Sequence, residues 1–294
     1  MIITDFNRIE EYMSDKNQFS TVIDAKARIL SVPVKEIIKY KDLVMTLVKR
    51  NYKIQYKQTI LGPFWLVFGL IVNTGIFSLI FGYIGNFASD GVPYVLFYLT
   101  GTLGWDYFSG CFGHNKNVFM DNAYIMGKVY FPRLVVPISN MVYELIRVFV
   151  KLAVTIIVWI FFMIRGEAVF MGWWTLLIIP TVFLCGIMGA AFGMIISSLS
   201  TKYRDFSHLT GVAMTLMMYA SPILYSVTES PEWLKTVIYI NPMSAFIELI
   251  RYSITGTGHL SLWAIVYSVL FTCIISFIAI LKYNQTEKTF IDIV

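Results

Sequence analysis

Four ionisable side chains, Asp106, Glu144, Arg147 and Lys151, stand inside stretches that are otherwise apolar. A charge at the centre of a bilayer costs about 2.5–3.5 kcal/mol on insertion scales unless it is paired or hydrated, so each needs a partner. Glu144, Arg147 and Lys151 are spaced i, i+3 and i+7 and share one helix face, where they form a charged patch that Asp106 can complete from another segment. Two kinds of chemistry follow: a structural ion network, or contact with an anionic group of a transported substrate. Covalent chemistry is not indicated. There is no H-E-x-x-H and no G-x-S-x-G, and the three histidines, His114, His208 and His259, fall in separate connecting regions. No catalytic residue and no metal site is assigned. The cysteines Cys111, Cys185 and Cys273 belong to three different apolar blocks without C-x-x-C spacing, which argues against a disulfide framework or zinc. A phosphate-binding G-x-x-x-x-G-K-[ST] is also missing: Gly127-Lys128-Val129 lacks both the upstream glycine and the hydroxyl, so any ATP that drives this protein is bound by another chain.

The elements that position these charges are membrane helices. The chain is 57% hydrophobic and 14% charged, against roughly 25% charged in soluble domains, and its apolar residues come in blocks of bilayer length. Six spans are predicted, at about 64–85, 94–113, 135–163, 174–199, 206–227 and 261–283, and the third is long enough to tilt or project. The formal charge of +5 does not describe a nucleic-acid face, because the basic residues lie between the blocks. On this six-span reading one side of the membrane carries eighteen of the 23 lysines and arginines, which predicts that both termini are cytoplasmic. Asp106 then lies roughly 11 Å, and Glu144 roughly 14 Å, from the inner ends of their spans. Trp173 and Trp174 fall at the outer interface, where indoles are favoured. No cleaved signal is predicted at the N-terminus, and the first span serves as the insertion signal.

Residues 1–34 read as a polar cytoplasmic arm and 284–294 as a cytoplasmic tail, on either side of a membrane domain over 64–283. Between arm and domain, within 35–63, Ile37, Tyr40, Val44, Leu47, Val48 and Tyr52 recur at helical steps among lysines, which predicts an amphipathic interfacial helix; the alternative is a helix packed on a soluble domain. The stretch of about 228–260 is half apolar and too short in each half to span. Two short helices broken at Asn241-Pro242 and re-entering the outer leaflet would bury its apolar residues, and a folded external cap is the other reading. Phe64, Trp65, Phe68, Phe77 and Phe81 in the first span either face lipid and neighbouring helices or line a conduit whose aromatic faces suit sugar rings. Gly189 and Gly193 form a small-residue packing face.

Four motifs carry a family resemblance. The run from Tyr52-Lys53-Ile54-Gln55-Tyr56-Lys57 through Leu61-Gly62-Pro63-Phe64-Trp65 resembles the start of ABC-2 type polysaccharide exporter permeases. Lys128-Val129-Tyr130-Phe131-Pro132-Arg133, Tyr203-Arg204-Asp205-Phe206, and Ser221-Pro222-Ile223-Leu224-Tyr225 with Asn241-Pro242-Met243, Glu248 and Arg251 follow in the family's order, over about residues 35–283. The resemblance implies an all-α, six-span subunit of the bacterial cytoplasmic membrane that works as a homodimer with two copies of a cytoplasmic ATPase. That ATPase binds ATP and Mg, and the dimer exports lipid-linked O-antigen, capsular polysaccharide or teichoic acid. It also implies that the loop 115–133 docks on the ATPase. There Phe119, Tyr124, Ile125 and Met126 would fill a groove while Lys116, Asp121 and Lys128 orient the contact; a plain connector is the alternative. Spans one and five bound the family's path, which carries Phe64, Trp65, Phe68, Met214, Met218 and Tyr219 toward it. Arg50, Lys53 and Lys57 are placed to attract a lipid diphosphate or ordinary anionic lipids. An ABC-2 exporter of a drug, antibiotic or other glycolipid shares this plan. An integral-membrane transferase acting on polyprenyl-linked sugars would show a clustered acid or base at one membrane face, and none is visible.

Overall fold

The computed structural model describes residues 34–290 except 130, 168–171 and 204. The predicted N-terminal arm up to residue 33, Tyr130 and Arg204 of two motifs, and the last four residues of the predicted tail lie outside the described residues. Among the described residues every regular element is helical. The chain opens with α1 (Val34–Lys39) and α2 (Lys41–Tyr56), followed by α3 (Phe64–Phe77), which widens without a break into a π-helical turn at Ser78–Ile84. Next come α4 (Tyr94–Asn115), the short α5 (Val118–Met126) and the long α6 (Val135–Ile164). A 3-10 turn at Trp173–Leu177 leads into α7 (Ile178–Ser200), then α8 (Asp205–Tyr219), α9 (Glu232–Ile240), α10 (Pro242–Thr255) and α11 (Leu262–Phe290).

Four stretches are long and apolar enough to cross a membrane: Phe64–Ile84, Val135–Ile164, Trp173–Ser200 and Leu262–Glu287. This is an integral membrane protein. The second and fifth predicted spans differ for physical reasons. Helix α4 has the length, 22 residues, but Thr100, Thr102, Asp106, Ser109, His114 and Asn115 make it less apolar than the others, as suits an element buried over most of its turns. Helix α8 stops at Tyr219, after 15 residues and about 22 Å, because Pro222 follows and disfavours helical backbone before it. The apolar run to residue 227 therefore continues as turns. At the other end of the chain, α11 carries the helix well past the predicted end of the last span, and Arg133 donates to the Glu287 carbonyl at 2.7 Å.

Helix α4 is held by glycine-mediated contact. A Cβ at Gly189 would overlap the Phe108 carbonyl, and one at Gly193 would stand 2.7 Å from the Asn115 Cβ, so the small face of α7 lets two backbones approach. Helices α9 and α10 meet at Asn241, whose side chain accepts from the Met243 amide at 3.0 Å and donates to the Ser221 hydroxyl at 2.8 Å, with Pro242 in the first turn where its missing N–H costs nothing. Helix α10 is a core element: Met243, Phe246, Ile247 and Ile250 have no measurable exposure. In contrast, α3 buries little besides Thr74 and leaves Ile71, Val72 and Ile76 open.

Candidate functional site

The charged residues converge on one groove. Glu144, Arg147 and Lys151 lie about 14, 18 and 24 Å along α6 from its start at Val135, and Asp106 faces them from α4. Lys151 donates to Asp106, while Arg147 reaches both Glu144 carboxylate oxygens at 3.4 Å. Glu144 also lies 3.0 Å from His114 Nε2. Gly110 makes this possible, since a Cβ there would overlap the Glu144 carboxylate. The two pairs are half covered: the Glu144 and Lys151 side chains keep 2% and 8% of their exposure, but Arg147 and Asp106 keep 49% and 55%. Those open halves line a cavity of about 260 Å³ between α3, α4 and α6, whose other walls include Trp65, Asn73 and Tyr98.

From this groove a chain of side-chain hydrogen bonds leads back to α5. Asn140, one turn before Glu144 on α6, donates to the His114 carbonyl and to Asn115 Oδ1, each at 3.1 Å. Asn51 of α2 donates to Asn140 at 3.0 Å, and its neighbour Arg50 donates to Asn122 of α5 at 2.9 Å. Tyr56 closes the same side: burial pushes its phenol pKa up, opposed by the nearby Arg147 guanidinium. No charge pattern or motif marks the amides Asn51, Asn115, Asn122 and Asn140 in the sequence. Their signal was polar side chains recurring in or beside apolar helices, where an unmade hydrogen bond is costly.

The structure divides the other predicted groups. In α5, Phe119 and Met126 are buried in this chain's own core: the Phe119 ring stacks on Tyr283 at 4.6 Å, and both belong to one apolar cluster with Leu47 of α2 and Met194 of α7. Asp121, Tyr124 and Lys128 are exposed and Ile125 half-buried; the Lys128 ammonium sits 3.7 Å over the Tyr124 ring, so these two present one surface. Lys116 turns from that surface to donate to Thr210 of α8. Arg50 is engaged by Asn122, whereas Lys53 and Lys57 are exposed.

Of the first-span aromatics, Phe64, Trp65 and Phe68 are open and pack on one another, with Trp65 and Phe68 edge to face at 5.6 Å. Phe77 and Phe81 turn inward against the main core. In α8 Tyr219 is open with Leu209, Val212 and Leu216 along one stripe, while Met214 and Met218 lean on the core. Among the described residues no group of three or more His, Cys, Asp or Glu side chains is placed to hold a metal.

Known proteins match this sequence over most of its length. The family described as ABC-2 type transporter matches residues 42–255, from α2 to α10 and including every residue of the groove. An O-antigen export system permease protein RfbA of Klebsiella pneumoniae is 28% identical over 256 residues, 84% of this chain and 94% of the relative. A second protein of that name and species is 28% identical over 212 residues, 70% of this chain and 77% of its own length. The RfbA of Myxococcus xanthus is 26% identical over 215 residues, covering 71% and 79%.

Proposed function

Because this chain belongs to the ABC-2 type transporter family, we propose that it is the permease subunit of an ABC exporter that moves a lipid-linked polysaccharide of O-antigen, capsular or teichoic acid type across the bacterial cytoplasmic membrane. The observation that carries this reading is the match, over most of the chain, to three relatives named as O-antigen export permeases. The translocating unit is a homodimer of six-span subunits with both termini cytoplasmic, in which α4 and α8 are the second and fifth spans. Open apolar faces on α3 and α8 support pairing with a second copy. Helices α9 and α10 are the re-entrant pair of the outer leaflet, and α2 lies at the inner interface, where Lys53 and Lys57, with Arg50 behind them, attract lipid phosphate.

Two ATPase subunits supply the ATP and Mg site and dock on α5 through Asp121, Tyr124, Ile125 and Lys128. When ATP closes them, a push on α5 passes through Asn122–Arg50 to α2 and through Asn51–Asn140 to α6. The path that opens runs between protomers, past Phe64, Trp65, Phe68 and Tyr219, with Met214 and Met218 behind. Co-expression with the neighbouring ATPase, followed by ATPase assays with lipid-linked polysaccharide, tests the reading. A stable complex stimulated by the saccharide lipid is expected. Failure to form the complex contradicts the reading; a complex indifferent to saccharide points to a drug, antibiotic or other glycolipid as cargo.

A further inference from the structure

The groove between α3, α4 and α6 has a composition that selects its ligand. Its four lining charges stand in pairs, Asp106 with Lys151 and Glu144 with Arg147, with His114 behind the same Glu144, and the four sum to zero, a balance that favours a neutral ligand over a phosphate. What the pairs present to the opening is one half of each. The Asp106 carboxylate only accepts hydrogen bonds, and the Arg147 guanidinium only donates. Asn73, exposed on α3, does both. Trp65 stands at the same opening with half its surface uncovered and offers an aromatic face. Acceptor, donor and ring face together complement a neutral ligand with hydroxyls around its edge and C–H bonds on its flat side. At about 260 Å³ the cavity falls below the ~300–1,000 Å³ of sites for drug-sized molecules and suits a single ring. At mid-membrane depth the open halves of two ion pairs also require polar cover, which hydroxyls provide.

We propose that this groove binds one neutral sugar ring of the exported chain, its hydroxyls bridging from the Asp106 carboxylate to the Arg147 guanidinium and its C–H face turned to Trp65. The assignment rests on the polysaccharide-export reading and adds a saccharide subsite inside each protomer, beside the path between protomers and sharing Trp65 with it. Gly69 gives a clean way to close it. A Cβ at Gly69 meets nothing within 4 Å, so a larger side chain there enters the groove without disturbing the fold.

The test uses the assembled exporter, this chain with its ATPase, in lipid nanodiscs. Two photoreactive probes are compared, a dodecyl maltoside and a dodecyl phosphate, each with a diazirine next to the headgroup, and labelled peptides are mapped by mass spectrometry. The maltoside is expected to label α3 and α6 beside the groove, to be competed by excess unlabelled maltoside, to fall about tenfold in Asp106→Asn, the scale of one charge-assisted hydrogen bond, and to be lost in Gly69→Leu, which fills the groove. If Asp106→Asn fails to assemble because Lys151 loses its partner, Gly69→Leu and Asn73→Leu decide the matter, the first from a half-buried position with open space beside it and the second from an exposed one. Equal or stronger labelling by the phosphate, no maltoside labelling of α3 or α6, or labelling unchanged in Gly69→Leu overturns the site. Cells that display polysaccharide through this chain while the groove stays unlabelled contradict the groove alone; absence of chain-dependent display contradicts the export reading beneath it.

Discussion

Arg251 has no exposed surface, and its guanidinium meets three groups at once. It donates to Glu248, donates to the Pro222 carbonyl at 2.6 Å, and stacks 3.7 Å over the Phe97 ring. Glu248 in turn accepts from the His259 amide at 3.1 Å. The pair thus ties the turn after α8 to α10 and α4. Removing one partner leaves a buried charge uncompensated, a cost of about 3–5 kcal/mol, whereas removing both with apolar residues of similar size is far milder. Arg251→Met is accordingly expected to lower the thermal unfolding midpoint in detergent strongly, and the double variant Glu248→Leu/Arg251→Met to recover most of the loss. A double variant as unstable as the single one contradicts the pairing. The same logic applies to Gly189, where Gly189→Leu drives a side chain into the α4 backbone and is expected to cost at least the ~1–3 kcal/mol of ordinary overpacking, measured as loss of folded protein on size exclusion.

At the scale of elements, α2, α5 and α6 are joined by side chains that no local rule would pair: Arg50 with Asn122, and Asn51 with Asn140. If these contacts carry movement from the ATPase, Arg50→Ala and Asn122→Ala each leave ATPase binding intact but reduce transport per ATP hydrolysed. Their double variant is then expected to be no worse than either single one, because both break the same link. Additive losses contradict the coupling. This link also marks the limit of what was legible in the sequence. Apolar blocks locate α3, α6, α7 and α11 because bilayer length is a one-dimensional property. The i, i+3, i+7 spacing in α6 shows which charges share a face, and the depth estimate brings Asp106 near them. Hydropathy did not reveal that α8 ends early, since Pro222 sits in an apolar run that reads as continuous. Nor did it show that Phe119 and Met126 are core residues, because a short amphipathic helix presents the same pattern whether its apolar face meets this chain or a partner. The asparagine contacts join residues 72 and 89 positions apart, beyond any periodic signal.

For the whole molecule, one protomer leaves α3 almost uncovered and exposes the stripe Leu209, Val212, Leu216 and Tyr219 on α8. If two copies pair through these faces as proposed, α3 of one against α8 of the other, cysteines placed at Phe68 and Leu216 in a background with Cys273→Ser are expected to cross-link into a dimer band on mild oxidation. A band that stays monomeric, with cross-links inside one chain, contradicts that pairing. Export of polysaccharide through this chain is measured most directly in cells from which the chain has been removed. Lipid-linked polysaccharide is then expected to accumulate on the cytoplasmic side and vanish from the surface, and to return to the surface when the chain is restored with its ATPase. Surface polysaccharide that persists at its normal level without this chain would contradict the account.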